Sequence, residues 1–365
     1  MKRIFVDIYL AYNLGDDLFL DILSKEYPEV EFTVNYVGKE YDEFLIRYKN
    51  VKRRKYTYID KILQRLKIKD TLTNYKSIAE SHDAMIFIGG SIFRDESYHE
   101  SLYKYRMNIV SEFEKLNKPI FILGSNFGPY TRQSFFDDYM KFYAKCKDVC
   151  FRDTYSYNLF KDMDNIRYQP DIVFQLNLDK FKKDTKENVV GFSIIDVSHK
   201  EGLEKYEAKY INSTVKSIEL LVSKGYKCCL MSFCKKEGDL KCINIIVERL
   251  SNNAKKNIEI YEYNGNLEEA INLISKFKLF VAARFHANII AQLVNVPVLP
   301  VIYSNKTSNM LKDINLDSIM VSMNNLERLY DEEIIKKSFN NIVDITTVKD
   351  EAKLQFKQLS LFIKE

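Results

Sequence analysis

Apolar and amphipathic stretches alternate almost without a break along this chain. Compact runs rich in Ile, Val, Leu and Phe predict strands over 3–10, 30–37, 84–89, 119–124 and 148–151, then over 188–195, 226–233, 257–262, 278–283 and 297–302. Apolar residues at helical spacing predict helices over 16–26, 59–68, 98–116, 132–145 and 153–163, then over 208–224, 238–252, 266–276, 286–295 and 306–313. Such alternation is the pattern of parallel sheets covered on both faces by helices. The expected fold is α/β, two Rossmann-like domains facing across a cleft.

The two series are separated by Asp179-Lys180-Phe181-Lys182-Lys183-Asp184-Thr185-Lys186-Glu187, a charged segment without glycine that reads as a solvated linker. The expected domains are 1–180 and 187–342. Residues 343–365 place Val348, Ala352, Leu354, Phe356, Leu359, Leu361 and Phe362 in a helical pattern, expected to pack back towards the first domain. With 365 residues the chain has room for two domains of ordinary size.

Composition narrows the function classes. Hydrophobic residues at 46% and charged residues at 29% describe a globular protein. A formal net charge of +4 is small for this length, so no nucleic-acid partner is expected. No apolar run reaches the ~18 residues of a membrane span. Asp7 follows Met1-Lys2-Arg3 too soon for an export leader, so a cytoplasmic place is expected. Cys146, Cys150, Cys228, Cys229, Cys234 and Cys242 form no C-x-x-C pair and have no histidine at ligand spacing. Reduced thiols and no metal site are the expectation. Asp162-Met163-Asp164 has the form of some metal-binding transferase motifs but reads as surface. Basic residues crowd 47–69 (Arg47, Lys49, Lys52, Arg53, Arg54, Lys55, Lys61, Arg65, Lys67, Lys69). They read as a solvated face. The alternative is peripheral attraction to the anionic inner face of a membrane, or to a diphosphate-linked acceptor.

Candidate chemistry gathers where strands are predicted to end. Arg284-Phe285-His286 closes the run Leu279-Phe280-Val281-Ala282-Ala283 and opens a helical pattern. A guanidinium and an imidazole at a strand's carboxyl end and a helix's amino end suggest an anionic substrate and proton transfer. Asn13-Leu14-Gly15-Asp16-Asp17 follows the first strand; it reads as a backbone cradle, or as a tight turn with Asp16 as helix cap. Gly89-Gly90-Ser91 lets a ligand or a helix approach the backbone, but is not G-x-G-x-x-G, so NAD and FAD have little support. Gly124-Ser125-Asn126-Phe127-Gly128-Pro129 is a rigid, donor-rich loop or an ordinary turn. Arg152 ends another strand, with Asp153 either its ion-pair partner or the cap of the next helix.

In order and placement, these loops resemble the polysaccharide pyruvyl transferase family. The matching positions are Asn13-Leu14-Gly15-Asp16, Gly89-Gly90-Ser91, Gly124 with Gly128-Pro129, Arg152-Asp153 with Ser156, Pro170-Asp171, and Arg284-Phe285-His286. The resemblance covers about residues 3–315. It implies a GT-B-like pair of domains and transfer of the enolpyruvyl part of phosphoenolpyruvate to two hydroxyls of a sugar, giving a pyruvate ketal and phosphate. Phosphoenolpyruvate is then a co-substrate, and no cofactor is implied. It further implies a catalytic set of Arg284, His286 and Arg152; Asp16 is our own candidate for the base that takes the sugar hydroxyl proton. Asn13, Gly15, Gly89, Gly90, Ser91, Ser125, Asn126 and Phe285 would contact substrates. Three positions depart from the family pattern: Ala282 and Asn126 where serine is usual, and Ile88 where a glycine often precedes the pair. The rival readings are a nucleotide-sugar glycosyltransferase of GT-B type and a non-catalytic polysaccharide-assembly protein.

Overall fold

The computed structural model describes residues 1–66, 68 and 72–365. They divide into two compact units: Met1–Leu10, Phe19–Ile172 and Glu351–Glu365 form the first, and Ala11–Leu18 and Val173–Asp350 the second.

The first unit holds a seven-stranded sheet. Its strands are β1 (Arg3–Ile8), β2 (Glu31–Val34), β3 (Val51–Arg53), β4 (Ala84–Ile88), β5 (Ile120–Ser125), β6 (Asp148–Phe151) and β7 (Ile166–Tyr168). They lie in the order β3-β2-β1-β4-β5-β6-β7, and every pair is parallel. β4 and β5 are buried along their whole length, which is why they read as unbroken apolar runs. The core is strongly aromatic: Phe87, Phe93, Phe127, Phe135, Tyr139, Phe142, Tyr143 and Phe160 are all buried.

The second unit repeats the plan with six strands, β8 (Val189–Ile194), β9 (Lys227–Ser232), β10 (Ile258–Glu262), β11 (Leu279–Ala282), β12 (Val298–Ile302) and β13 (Val321–Ser322). The order is β10-β9-β8-β11-β12-β13, again all parallel. Its core is more aliphatic, with Val190, Ile194, Ile218, Leu221, Leu230, Ile243 and Leu299 buried.

All ten expected strands form. β3, β7 and β13 are additional, and each is two or three residues at a sheet edge, too short to show a period. Both sheets reverse direction beside their first strand, between β1 and β4 and between β8 and β11. Open parallel sheets leave a crevice at the carboxyl ends of such neighbours.

Two expectations at helix ends are corrected. The first helix starts at Leu14, two residues early, so Asp16 sits inside its first turn. Asn13 takes the capping position: its Oδ1 accepts from Gly15 N at 3.1 Å, and its carbonyl from Asp17 N at 2.9 Å. The stretch at 59–68 forms a helix over Tyr58–Arg65, capped by Thr57 and Asp60. Lys67 and Lys69 of the basic stretch lie outside the described residues.

The final segment is broken in two, Thr346–Lys353 and Lys357–Lys364, around a tight turn. Gln355 in that turn is fully buried. Its Oε1 accepts from Gly124 N at 3.0 Å, and its Nε2 donates to the carbonyls of Gln169 at 2.7 Å and Pro170 at 3.1 Å. Arg167 reaches the same turn through a 2.5 Å bond to the Leu354 carbonyl.

Candidate active site

In the second unit, β11 delivers Arg284 and His286 to the switch point beside β8. Ser193 of β8 is the register partner of Ala282, and its Oγ accepts from Ala283 N at 2.9 Å and Arg284 N at 3.1 Å. A hydroxyl therefore stands at this turn although position 282 itself is alanine. Arg284 is the cap of the helix Phe285–Leu293. Asn288 Nδ2 ties the turn by donating to the carbonyls of Ala282 and Arg284.

Arg284 is buried, and its fork is occupied. Nε donates to Asp239 Oδ2 at 3.0 Å, Nη2 binds Asp239 Oδ1, and Nη1 donates to Glu237 Oε2 at 2.5 Å. Asp239 is fully buried and also accepts from Phe233 N and Cys234 N. Two carboxylates hold three of its five N–H groups. Burial pushes the Glu237 carboxyl up, but Arg284 and then Lys200 outweigh it and hold it at about 2.

Glu237 joins this pair to the amino-terminal stretch. Its Oε1 accepts from Asn13 Nδ2 at 3.1 Å. The next glycine explains the spacing: a Cβ on Gly15 would lie 1.8 Å from Nδ1 of His286. Asn13, Gly15, Glu237, Arg284 and His286 thus form one cluster. Asp16 is half-buried beside Gly15. Asp17 is buried and accepts from Tyr263 Oη at 2.8 Å. Phe285 meets the His286 ring edge-on at 5.0 Å.

One guanidinium against two carboxylates leaves net negative charge. Two lysines reverse it. Lys200 Nζ lies 3.7 Å from Glu237 Oε2, and Lys306 also draws the Glu237 pKa down. Each ammonium stands 5.7 Å from the ring centroid of Tyr303, at the end of β12. Lys306 is in the first turn of the helix Asn305–Asp313, whose cap residue Ser304 makes no side-chain cap bond. Ser304 Oγ and Thr307 Oγ1 are both buried without a hydrogen-bond partner among the described residues. Lone hydroxyls beside cations at a helix amino end form a surrounding suited to an oxyanion.

A second cluster lies in the first unit, at the carboxyl ends of β4, β5 and β6. Arg152 is buried; Nη1 donates to Asp171 Oδ2 at 2.9 Å and Nη2 to Asn126 Oδ1 at 2.8 Å. Ser91 Oγ donates to the same Oδ1 at 3.0 Å, and Asn126 N to the Gly90 carbonyl at 2.8 Å. Ser125 Oγ donates to the Gly89 carbonyl at 2.8 Å. A Cβ on Gly90 would strike the Arg152 guanidinium at 2.4 Å, so the glycine pair makes room for that arginine. Arg152 braces three loops. Asp153 caps the next helix by accepting from Ser156 N at 2.7 Å. Asp162 and Asp164 are exposed.

Sequence reading missed Ser193, Lys200, Glu237, Asp239, Tyr303 and Lys306. A buried arginine demands carboxylates. Glu237-Gly238-Asp239 just past the strand predicted at 226–233 was a findable signal for them.

A model of the polysaccharide pyruvyl transferase family matches residues 13–305. Among solved structures, Anabaena HepE in complex with UDP and glucose is similar at 12% identity, with all of both chains covered and a TM-score of 0.64. UDP-GlcNAc 2-epimerase from Neisseria meningitidis bound to UDP-GlcNAc is 11% identical over 98% of this chain and 99% of its own, with a TM-score of 0.60. Acinetobacter baumannii MurG is 11% identical over all of both chains, with a TM-score of 0.52. At these identities the likeness concerns the fold, which is GT-B.

Proposed function

This chain belongs to the polysaccharide pyruvyl transferase family, and from that premise we propose that it transfers the enolpyruvyl group of phosphoenolpyruvate to a sugar of a surface polysaccharide or its precursor. The family's activity is transfer of a pyruvyl group to polysaccharide. The donor and the cyclic ketal product are our reading. What supports it is the convergence of Asn13, Gly15, Arg284 and His286 beneath two lysines in the second unit.

Phosphoenolpyruvate carries a carboxylate and a phosphate. In this reading Lys200 and Lys306 supply the charge that holds them, while Arg284, fixed by Asp239 and Glu237, orients the turn and offers its remaining N–H groups. His286 delivers a proton to the methylene carbon, which becomes the methyl group. A sugar hydroxyl bonds to the adjacent carbon, with Asp16 taking its proton. A second hydroxyl then bonds to the same carbon as the C–O bond to phosphate breaks. Of the two hydroxyl protons lost, one replaces the proton spent on the methyl and the other leaves with phosphate. Asn126 and Arg152 act through the loops they hold, as positioning residues. A lipid-linked acceptor would bring the enzyme to a membrane face.

A nucleotide-sugar glycosyltransferase is the second reading, because HepE and the epimerase share the fold and were solved with UDP or UDP-GlcNAc. Calorimetric titration separates the two. Phosphoenolpyruvate is expected to bind the wild type and to bind more weakly to the Lys200→Gln/Lys306→Gln variant. Binding of a UDP-sugar with no heat from phosphoenolpyruvate would overturn the proposal.

A further inference from the structure

The helix Tyr58–Arg65 contains no buried residue. At ~100° per residue, Tyr58, Ile59, Ile62 and Leu66 fall within one face, and they are 77%, 67%, 41% and 62% exposed. Ile68, just beyond, is 68% exposed. Large apolar side chains normally leave water, so a whole face of them on a capped helix marks a contact surface. The flank of that face is basic. Lys61 and Arg65 lie one turn apart beside it, and Lys55 precedes it; all three are exposed. Asp60, the acid within the helix, is turned back into the cap with Thr57.

We propose that this helix lies in the headgroup layer of an anionic membrane. An apolar face bordered by lysine and arginine is the arrangement of helices that rest in such an interface. The apolar residues enter the acyl boundary, and the long basic side chains reach back to lipid phosphates. Charge complementarity selects this occupant over a second copy of the chain, which would bring the same basic flank against itself. The surface is independent of which group the enzyme transfers.

The test is flotation of the full chain with vesicles. Wild type is expected to float with phosphatidylglycerol–phosphatidylcholine vesicles and to stay behind with phosphatidylcholine alone. The Lys61→Gln/Arg65→Gln variant should partition about 25-fold more weakly, at roughly fivefold per lost charge. The Ile59→Ser/Ile62→Ser/Leu66→Ser variant should stay behind with both, its thermal unfolding unchanged because these side chains are exposed. Wild type that fails to float with anionic vesicles, or a triple variant that floats with them as before, overturns the proposal. A concentration-dependent dimer abolished by the triple change, without flotation, overturns it in favour of a second copy.

Discussion

The backbone of Gly15 lies so close to the imidazole of His286 that a methyl group on its Cα would stand 1.8 Å from Nδ1. Two stretches of chain more than two hundred and fifty residues apart in sequence are thereby matched to within an atom. Gly15→Ala should displace the imidazole and leave the fold intact, since alanine suits a helix's first turn. Phosphate release from phosphoenolpyruvate is expected to fall about 10²-fold, the usual cost of misplacing a reacting group by about an ångström. Undiminished release by a normally folded variant would show that the position of His286 is immaterial.

Acid should loosen the pair formed by Glu237 and Arg284. The carboxyl of Glu237 is held at about 2, below its ordinary 4.5. Its contribution is therefore present above about pH 4.5 and is lost as pH falls towards 2. The full effect is on the order of 3 kcal/mol. Urea unfolding of wild type and Glu237→Gln should differ most near neutrality, with the difference narrowing progressively below about pH 4.5. A difference that stays flat across that range would mean that Glu237 is not ionised through this pairing.

Lys200→Gln and Lys306→Gln should each raise KM for phosphoenolpyruvate about tenfold and leave kcat within a few-fold, as removal of a charge-assisted contact present before and during the reaction does. The loss should shrink at high salt. A change confined to kcat would relocate these lysines from holding the donor to the chemical step.

In the first unit, Asp171→Asn removes the charge of a carboxylate paired with the buried Arg152. A loss of ~3–5 kcal/mol is expected from breaking such a pair, read as a lowered urea midpoint. Intact stability would mean that the other contacts of Arg152, Asn126 among them, suffice to hold the guanidinium.

Gln355→Ala removes one acceptor and several donor contacts to backbone groups around Gly124, Gln169 and Pro170. A cost of ~1–3 kcal/mol follows if one buried group is left unsatisfied, and more if several are. Amide exchange at Gly124 would report the loss directly.

Both sheets were legible in the chain because parallel strands buried on two faces write themselves as solid apolar runs, as at Ile120-Phe121-Ile122-Leu123. Edge strands such as Val321–Ser322 were not, being too short for any period. The placement of Arg284 and His286 at a strand end was equally readable. Their electrostatics were not: Asp239 and Glu237 stand 45 and 47 residues away from Arg284 in the chain. The sequence pattern offers a guanidinium, and only the fold reveals that it is already claimed. Arg152 teaches the same lesson, since its partner Asp171 lies beyond an intervening helix and strand.

The first unit is closed by residues 351–365, and residues 173–350 belong to the second. A ribosome adds about 5–20 residues per second and releases amino-terminal sequence first. The opening sheet must therefore wait, with the site that Gln355 fills still vacant, while an entire neighbour is synthesised. That sheet is completed only by chain made after the whole of residues 173–350.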